Sequence, residues 1–353
     1  MSTKIRCKYV LIIMIAALTC AGALSSAVGR APTPVERHGF LRVEGNKIVD
    51  QHGEPVQLRG MSFFWSQWMG QFYNRRVVDW LVDDWKVTLV RAAMGAKHDE
   101  TQSGFMYDSR ERKKVKTVVD AAIRRGIYVI IDWHDHHAED NADAAQRFFE
   151  DMARTYGHLP NVIYEIYNEP LQISWSDIVK PYSERIVAAI RAIDPNNLII
   201  LGTPWWCQRV DEAADDPLDA VNVVYSLHFY AASHKDDIRA RAQYALDKGV
   251  PLFVSEWGTT LATGDGFLDS VETDIWLAFM DEHKLSWANW SIADKAEASA
   301  ALVPGASRTG RWRYEDLTPS GRLIRRKLRA YAGYEENLFP REPRESRVRL
   351  QAR

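Results

Sequence analysis

Two glutamates stand at the ends of apolar runs, in Ile166-Tyr167-Asn168-Glu169-Pro170 and in Phe253-Val254-Ser255-Glu256-Trp257. A pair of carboxyls can divide one reaction between them. One protonates a leaving oxygen, while the other attacks the carbon or activates water; cleavage of a glycosidic bond needs this division. Arg91, His134, Asn168, His228, Tyr230 and Trp290 also follow apolar runs. Pro170 biases Glu169 toward extended backbone and ends its segment. Glu165 competes for the same role and shares Glu169's side by the period of a strand. It lies four residues deeper, about 13 Å along a strand. The plain alternative for each glutamate is a rim residue paired with an arginine, and for each histidine a satisfied core residue.

The elements that must hold these groups alternate. Strand-like runs cover 56–62, 87–93, 127–133, 162–169, 198–203, 221–230, 251–257 and 285–291, and helical patterns such as 110–125, 143–156, 178–193, 238–248 and 267–283 lie between them. A last helix fits 320–332, and a short polar one fits 211–217 after the fifth strand. Eight strands alternating with helices predict an α/β chain folded as a (β/α)8 TIM barrel. Before them, Leu41, Val43, Ile48 and Val49 alternate around the turn Glu44-Gly45-Asn46, which predicts a short N-terminal β-hairpin. In such a barrel all the polar groups named above meet at the C-terminal ends of the strands. An open doubly wound sheet is the rival, but no glycine-rich phosphate loop follows the first strand, and no cofactor is expected.

The 353 residues carry a formal net charge of -2, which gives no broad electrostatic footprint for nucleic acid or an anionic membrane. Thirteen tryptophans are many for such a chain and point to a core or a ligand that needs flat apolar faces. Lys4, Arg6 and Lys8 precede an apolar run from Val10 to Leu24 and then Ser25-Ser26-Ala27. This pattern predicts a signal peptide over 1–27, cleaved within about 27–31, and hence a secreted protein without a membrane anchor. An uncleaved anchor is the rival. Cys207 is then the one cysteine left, so no disulfide framework is expected and a buried, inert thiol is. The catalytic domain is expected over 38–334 as a monomer, followed by a basic tail over 335–353.

Seven blocks, in order, resemble glycoside hydrolase family 5 and within it the bacterial endo-β-1,4-glucanases. They are Leu58-Arg59-Gly60-Met61-Ser62, Val90-Arg91-Ala92-Ala93-Met94, Ile131-Asp132-Trp133-His134, Tyr164 to Pro170, Ser226-Leu227-His228-Phe229-Tyr230, Val254-Ser255-Glu256-Trp257-Gly258 and Trp287-Ala288-Asn289-Trp290-Ser291. The resemblance implies a β-glucan substrate, with Glu169 as general acid/base, Glu256 as nucleophile and retention of configuration. Arg91 and Tyr230 would keep Glu256 ionised, while the acid's pKa would be raised, partly by Glu256. The resemblance further implies Asn168 on the sugar 2-hydroxyl, His228 beside the acid and His134 on the substrate floor. Trp290 would be a stacking platform and Lys295 and Glu297 contacts to a neighbouring sugar; Trp65, Trp68, Trp205 and Trp206, at or just after strand ends, would either extend the platform or pack the loops.

The chain departs from familiar relatives at Phe64, where they carry a histidine, and at Gly95, where many carry an aromatic. Both changes fall near the expected non-reducing-side sugar sites. Related barrels also cut mannan, mixed-linkage β-glucan and xyloglucan. Two rivals come from other classes. A metal hydrolase could use Asp132-Trp133-His134-Asp135-His136-His137, but barrel metallohydrolases usually place such a motif on the first strand, and no metal is expected. A non-catalytic carbohydrate-binding barrel would keep the tryptophans and have no need of both glutamates.

Overall fold

The computed structural model describes residues 30–334. The expected signal peptide and basic tail lie outside these residues. A five-residue helix α1 (Pro34–His38) occupies the polar stretch before the hairpin, started by a Thr33–Glu36 capping box. The hairpin pairs β1 (Arg42–Glu44) with β2 (Lys47–Val49).

The eight remaining strands are parallel and close into a barrel: β3 (Arg59–Phe63), β4 (Leu89–Gly95), β5 (Tyr128–His134), β6 (Val162–Glu165), β7 (Ile199–Leu201), β8 (Val223–Tyr230), β9 (Leu252–Gly258) and β10 (Trp287–Ile292), with β10 against β3. Helices surround it, among them Glu111–Arg125, Ala142–Tyr156, Lys180–Arg191, Asp236–Asp247, Ser270–His283 and Pro319–Tyr331. The short helix after β7 runs from Val210 to Asp215 and buries Val210, Ala213 and Ala214. No helix among the described residues is long and apolar enough to cross a membrane.

Strand alternation sorts the barrel into layers. Leu89, Tyr128, Ile130, Ile163, Ile200, Val224 and Phe253 form one buried cluster inside the barrel, and Leu41 and Ile48 of the hairpin region join it. The hairpin therefore plugs the N-terminal end. Val90, Ala92, Val129, Ile131, Trp133 and Val254 point outward and pack with the helices. Above the apolar interior the inward residues turn polar: Arg91, Asp132, Glu165, Ser226 and Ser255 are all fully buried. This end of the barrel thus rests on a floor of buried polar groups, whose charged members survive burial because Arg91 pairs with Asp132 and Glu165.

One strand departs from its expected span and another from regular alternation, for reasons that matter to the site. β6 ends at Glu165, not at Glu169. Past it the chain bends toward β5, where Asn168 N–H donates to Trp133 O at 3.2 Å and Glu169 N–H to Asp135 O at 3.4 Å. In β9 the pairing with β8 passes from Ser226↔Phe253 to His228↔Glu256, so three steps on β9 face two on β8. The same extra residue separates Trp287↔Val254 from Asn289↔Trp257 on the other side. A β-bulge at this position turns the strand and re-aims a side chain. Ser255 and Glu256 both face the barrel axis as a result, while Trp257 stays in the outer core.

Candidate active site

Arg91 is the hub. Its Nε donates to Glu165 Oε2 at 2.6 Å, Nη1 to Glu256 Oε2 at 2.9 Å and Nη2 to Asn168 Oδ1 at 2.5 Å, with Asp132 Oδ2 at 2.9 Å from Nη2. Glu165 is fully buried and held by Arg91 and by Ser255 Oγ at 2.6 Å, so it is floor and not cleft. Tyr230 OH donates to the other oxygen of Glu256 at 2.9 Å. Asn168 Nδ2 is buried with no partner among the described residues.

Glu169 accepts from His228 Nδ1 at 2.9 Å, and His228 Nε2 lies 2.9 Å from Ser255 Oγ. Single oxygens of Glu169 and Glu256 and a ring nitrogen of His228 all lie within 4.8 Å of one another. Burial disfavours charge on His228, but the Glu165 and Glu169 carboxylates outweigh it and lift the ring to about 9. Burial and then Glu169 push Glu256 up, against Arg91, His228 and Tyr230. Burial pushes Glu169 up as well, yet His228 holds it below its ordinary value. The raised acid and low nucleophile expected from the sequence are therefore reversed in the free site. The reason is the hydrogen bond between His228 and Glu169, which makes the two titrate as a coupled pair and not as separate sites.

This pairing sets a pH dependence. Because His228 is raised from 6.5 to about 9, its charge and the stability it contributes are complete below 6.5 and lost as pH climbs through about 9. We expect kcat/KM on soluble glucan to fall through the same window. In His228→Gln the alkaline limb should move to lower pH, because Glu169 alone then holds the proton. An unmoved limb, read from initial rates between pH 5 and about 10, would show that His228 takes no part in it.

A cleft of about 650 Å³ opens over this pair, lined by Glu169, His228, Tyr230 and Glu256 and walled by Trp205, Trp206, Gln208 and His136. Trp205, Trp206 and Cys207 sit at φ 58°, 54° and 59°, three successive left-handed residues without a glycine. Each such residue costs roughly 1 kcal/mol, so the surroundings must hold the turn. On the other flank Trp290 stacks on His134 at 5.3 Å and meets Phe64 at 5.0 Å; Phe64 reaches Trp68 at 6.3 Å, and Trp65 lies 5.1 Å from Trp68. Lys295, paired with Glu297, sits 5.4 Å over the Phe64 ring. Phe64 is buried and packs on Trp290 and Trp68. At Gly95 a Cβ would meet Gln67 Oε1 at 1.7 Å. The Gln67 side chain fills that space.

His134 does not line the cleft around the two glutamates. It is buried behind Trp290 and Trp65, its Nδ1 2.6 Å from Asp132 Oδ2, and burial and then Arg91 push its pKa well down. The three histidines of the β5 end do not converge as a metal site would require. His134 turns to Asp132, His136 Nδ1 to Glu169 O at 3.3 Å and His137 to Glu139. Sequence reading missed His234, Gln208 and the role of Ser255. His234 Nδ1 accepts from Tyr230 N–H at 2.9 Å; its signal was a histidine just past a strand end. Ser255 bridges Glu165 and His228, and the bulge is what turns Glu256 inward beside it.

Comparison with known proteins places this architecture. The family model for cellulase (glycosyl hydrolase family 5) matches residues 49–296. The chain is 50% identical over 287 residues to endoglucanase A of Evansella cellulosilytica, covering 79% of this chain and 58% of that protein. It is 49% identical over 290 residues to endoglucanase Z of Dickeya dadantii, covering 81% and 65%. The chain thus spans less than two thirds of the length of these two relatives. Among solved structures, one from Cytophaga hutchinsonii superposes with a TM-score of 0.83 at 54% identity, over 85% of this chain and 98% of that one. The catalytic domain of Thermobifida fusca endoglucanase Cel5A gives 0.80 at 36%, over 84% and 99%. A matched family model over most of the chain, and relatives at this level of identity, establish that the chain belongs to glycosyl hydrolase family 5.

Proposed function

We propose that the protein is a retaining endo-β-1,4-glucanase that hydrolyses internal bonds of cellulose or related β-glucans. The observation that carries this reading is the carboxylate pair: oxygens of Glu169 and Glu256 within 4.8 Å of each other. A retaining pair has its carboxyl groups about 5–5.5 Å apart, whereas an inverting pair stands about 6.5–9.5 Å apart to admit water. Glu256, held by Arg91 and Tyr230, attacks the anomeric carbon as the bond to the leaving sugar breaks. Glu169, supplied by His228, gives that sugar's oxygen its proton. In the second step Glu169 takes a proton from water, which displaces Glu256 and restores the original configuration. The unpartnered Asn168 amide is suited to the 2-hydroxyl, a contact that strengthens in the transition state.

The endo reading rests on the open cleft and on the exposed Trp205 and Trp206 that wall it. The β-glucan reading draws on the relatives: several are named endoglucanases, and a variant of the Thermobifida fusca enzyme was solved in complex with cellotetraose. The basic Lys4, Arg6 and Lys8 before the apolar run from Val10 to Leu24 support a secreted enzyme, which on this reading acts as a monomer on polymer chains.

The test is a panel of carboxymethylcellulose, barley β-glucan, xyloglucan and mannan. Carboxymethylcellulose and barley β-glucan should lose viscosity well before many reducing ends appear, with xyloglucan and mannan cut more slowly. The anomer released first from cellopentaose, read by proton NMR, should be β. An α anomer would overturn retention, and activity confined to mannan or xyloglucan would move the substrate.

A further inference from the structure

The backbone of the segment that carries Glu169 is tied at four successive carbonyls. Asn168 O accepts from Cys207 Sγ at 3.1 Å and Glu169 O lies 3.3 Å from His136 Nδ1. Pro170 O accepts from Trp206 N–H and Leu171 O from Trp205 N–H, each at 2.9 Å. Three of the four ties come from the left-handed turn after β7. That turn is closed on itself by Cys207 N–H to Thr203 O at 3.0 Å and by Thr203 N–H to Cys207 Sγ at 3.4 Å. Gly202 allows the close approach: a Cβ there would meet Tyr167 O at 2.4 Å. Cys207 itself is fully buried and touches no part of the cleft that substrate reaches.

A left-handed run is the conformation that lets the amides of Trp205 and Trp206 and the thiol of Cys207 all turn to one neighbouring segment. The indoles meanwhile stand in the cleft, partly exposed. We propose that this turn is a positioning device for Glu169, with Cys207 as its positioning residue, and that it makes the aromatic wall of the leaving-group side and the acid/base one rigid unit. The proposal rests on the reading of Glu169 as acid/base. A sugar stacked on Trp205 or Trp206 then bears on the same backbone that aims the carboxyl at that sugar's oxygen. Removing the thiol frees the Asn168 carbonyl and loosens the aim of Glu169, while Glu256, on β9, keeps its own partners.

The experiment compares kcat/KM, which reports the first bond-breaking step, on cellopentaose and on 2,4-dinitrophenyl β-cellobioside. The first has a leaving group that must be protonated and the second does not. Cys207→Ala should lower kcat/KM on cellopentaose by about tenfold, since small misplacements of a catalytic group cost one to two orders of magnitude. On the dinitrophenyl substrate it should stay within about twofold. Cys207→Ser, which restores a donor, should recover most of the loss. Cys207→Val fills the space without a donor and should reproduce the alanine pattern, and it serves if the alanine variant does not fold. Glu169→Gln runs alongside and separates the two ideas. If it discriminates between the substrates and the cysteine variants do not, the turn is packing alone and the proposal falls. If Glu169→Gln itself loses both substrates equally, the acid/base reading fails instead.

Discussion

Glu256→Gln should fold like the parent and release reducing sugar from carboxymethylcellulose more slowly by on the order of 10⁵-fold, the scale on which removal of an attacking group acts. The amide matches the carboxyl in shape, and its oxygen can still accept from Arg91. Arg91 also keeps Glu165 at 2.6 Å and Asp132 at 2.9 Å, so no buried charge is left alone. What is lost is the lone pair that attacks the anomeric carbon. The unfolding midpoint should therefore stay close to that of the parent while turnover disappears. Glu256→Ala makes the same point with a product: it opens the attacking face, so added azide should restore turnover of dinitrophenyl β-cellobioside and yield the α-glycosyl azide. Recovery of the β-azide would mean that Glu256 is not the group that attacks, and the two glutamates would exchange roles.

Much of this site is legible in the sequence because barrel strands report their own ends. Arg91, His228, Tyr230 and Glu256 each follow an apolar run, and parallel closure brings such ends together whatever the loops do. The parts that are not legible are those where regular alternation breaks. Counting by twos from Phe253 puts Ser255 on the inner face and Glu256 on the outer, and the bulge in β9 alone brings both inside. Counting by twos from Glu165 puts Glu169 on the same face of a strand that in fact ends at Glu165. The left-handed turn at Trp205-Trp206-Cys207 has no glycine to announce it, and its cost is offset by hydrogen bonds to a segment some 35 residues earlier. The proton on His228 is hidden for a similar reason. It depends on Glu165 and Glu169 facing one imidazole, a placement that spacing along the chain does not contain.

The pairing of Glu169 with His228 shapes what Glu169→Gln should do. On cellopentaose or carboxymethylcellulose the variant should lose about 10³-fold, within the range general acid catalysis supplies. A sugar alkoxide is a poor leaving group, and His228, held at 2.9 Å from the Glu169 side chain and bonded on its other side to Ser255, replaces Glu169 at the glycosidic oxygen only by moving. The first step on dinitrophenyl β-cellobioside should fall by no more than about tenfold, because that leaving group departs unprotonated. The second step still needs a base for water, so the glycosyl-enzyme should accumulate, seen as a burst of dinitrophenolate equal to the enzyme followed by slow turnover. Azide, which needs no base, should relieve the block in Glu169→Ala and give the β-glycosyl azide, the opposite anomer from the Glu256→Ala product. Equal loss on both substrates without a burst would mean that Glu169 is not the proton donor. The pairing with His228 would then be a structural bond, and its charge would serve only to balance Glu165 in the barrel floor.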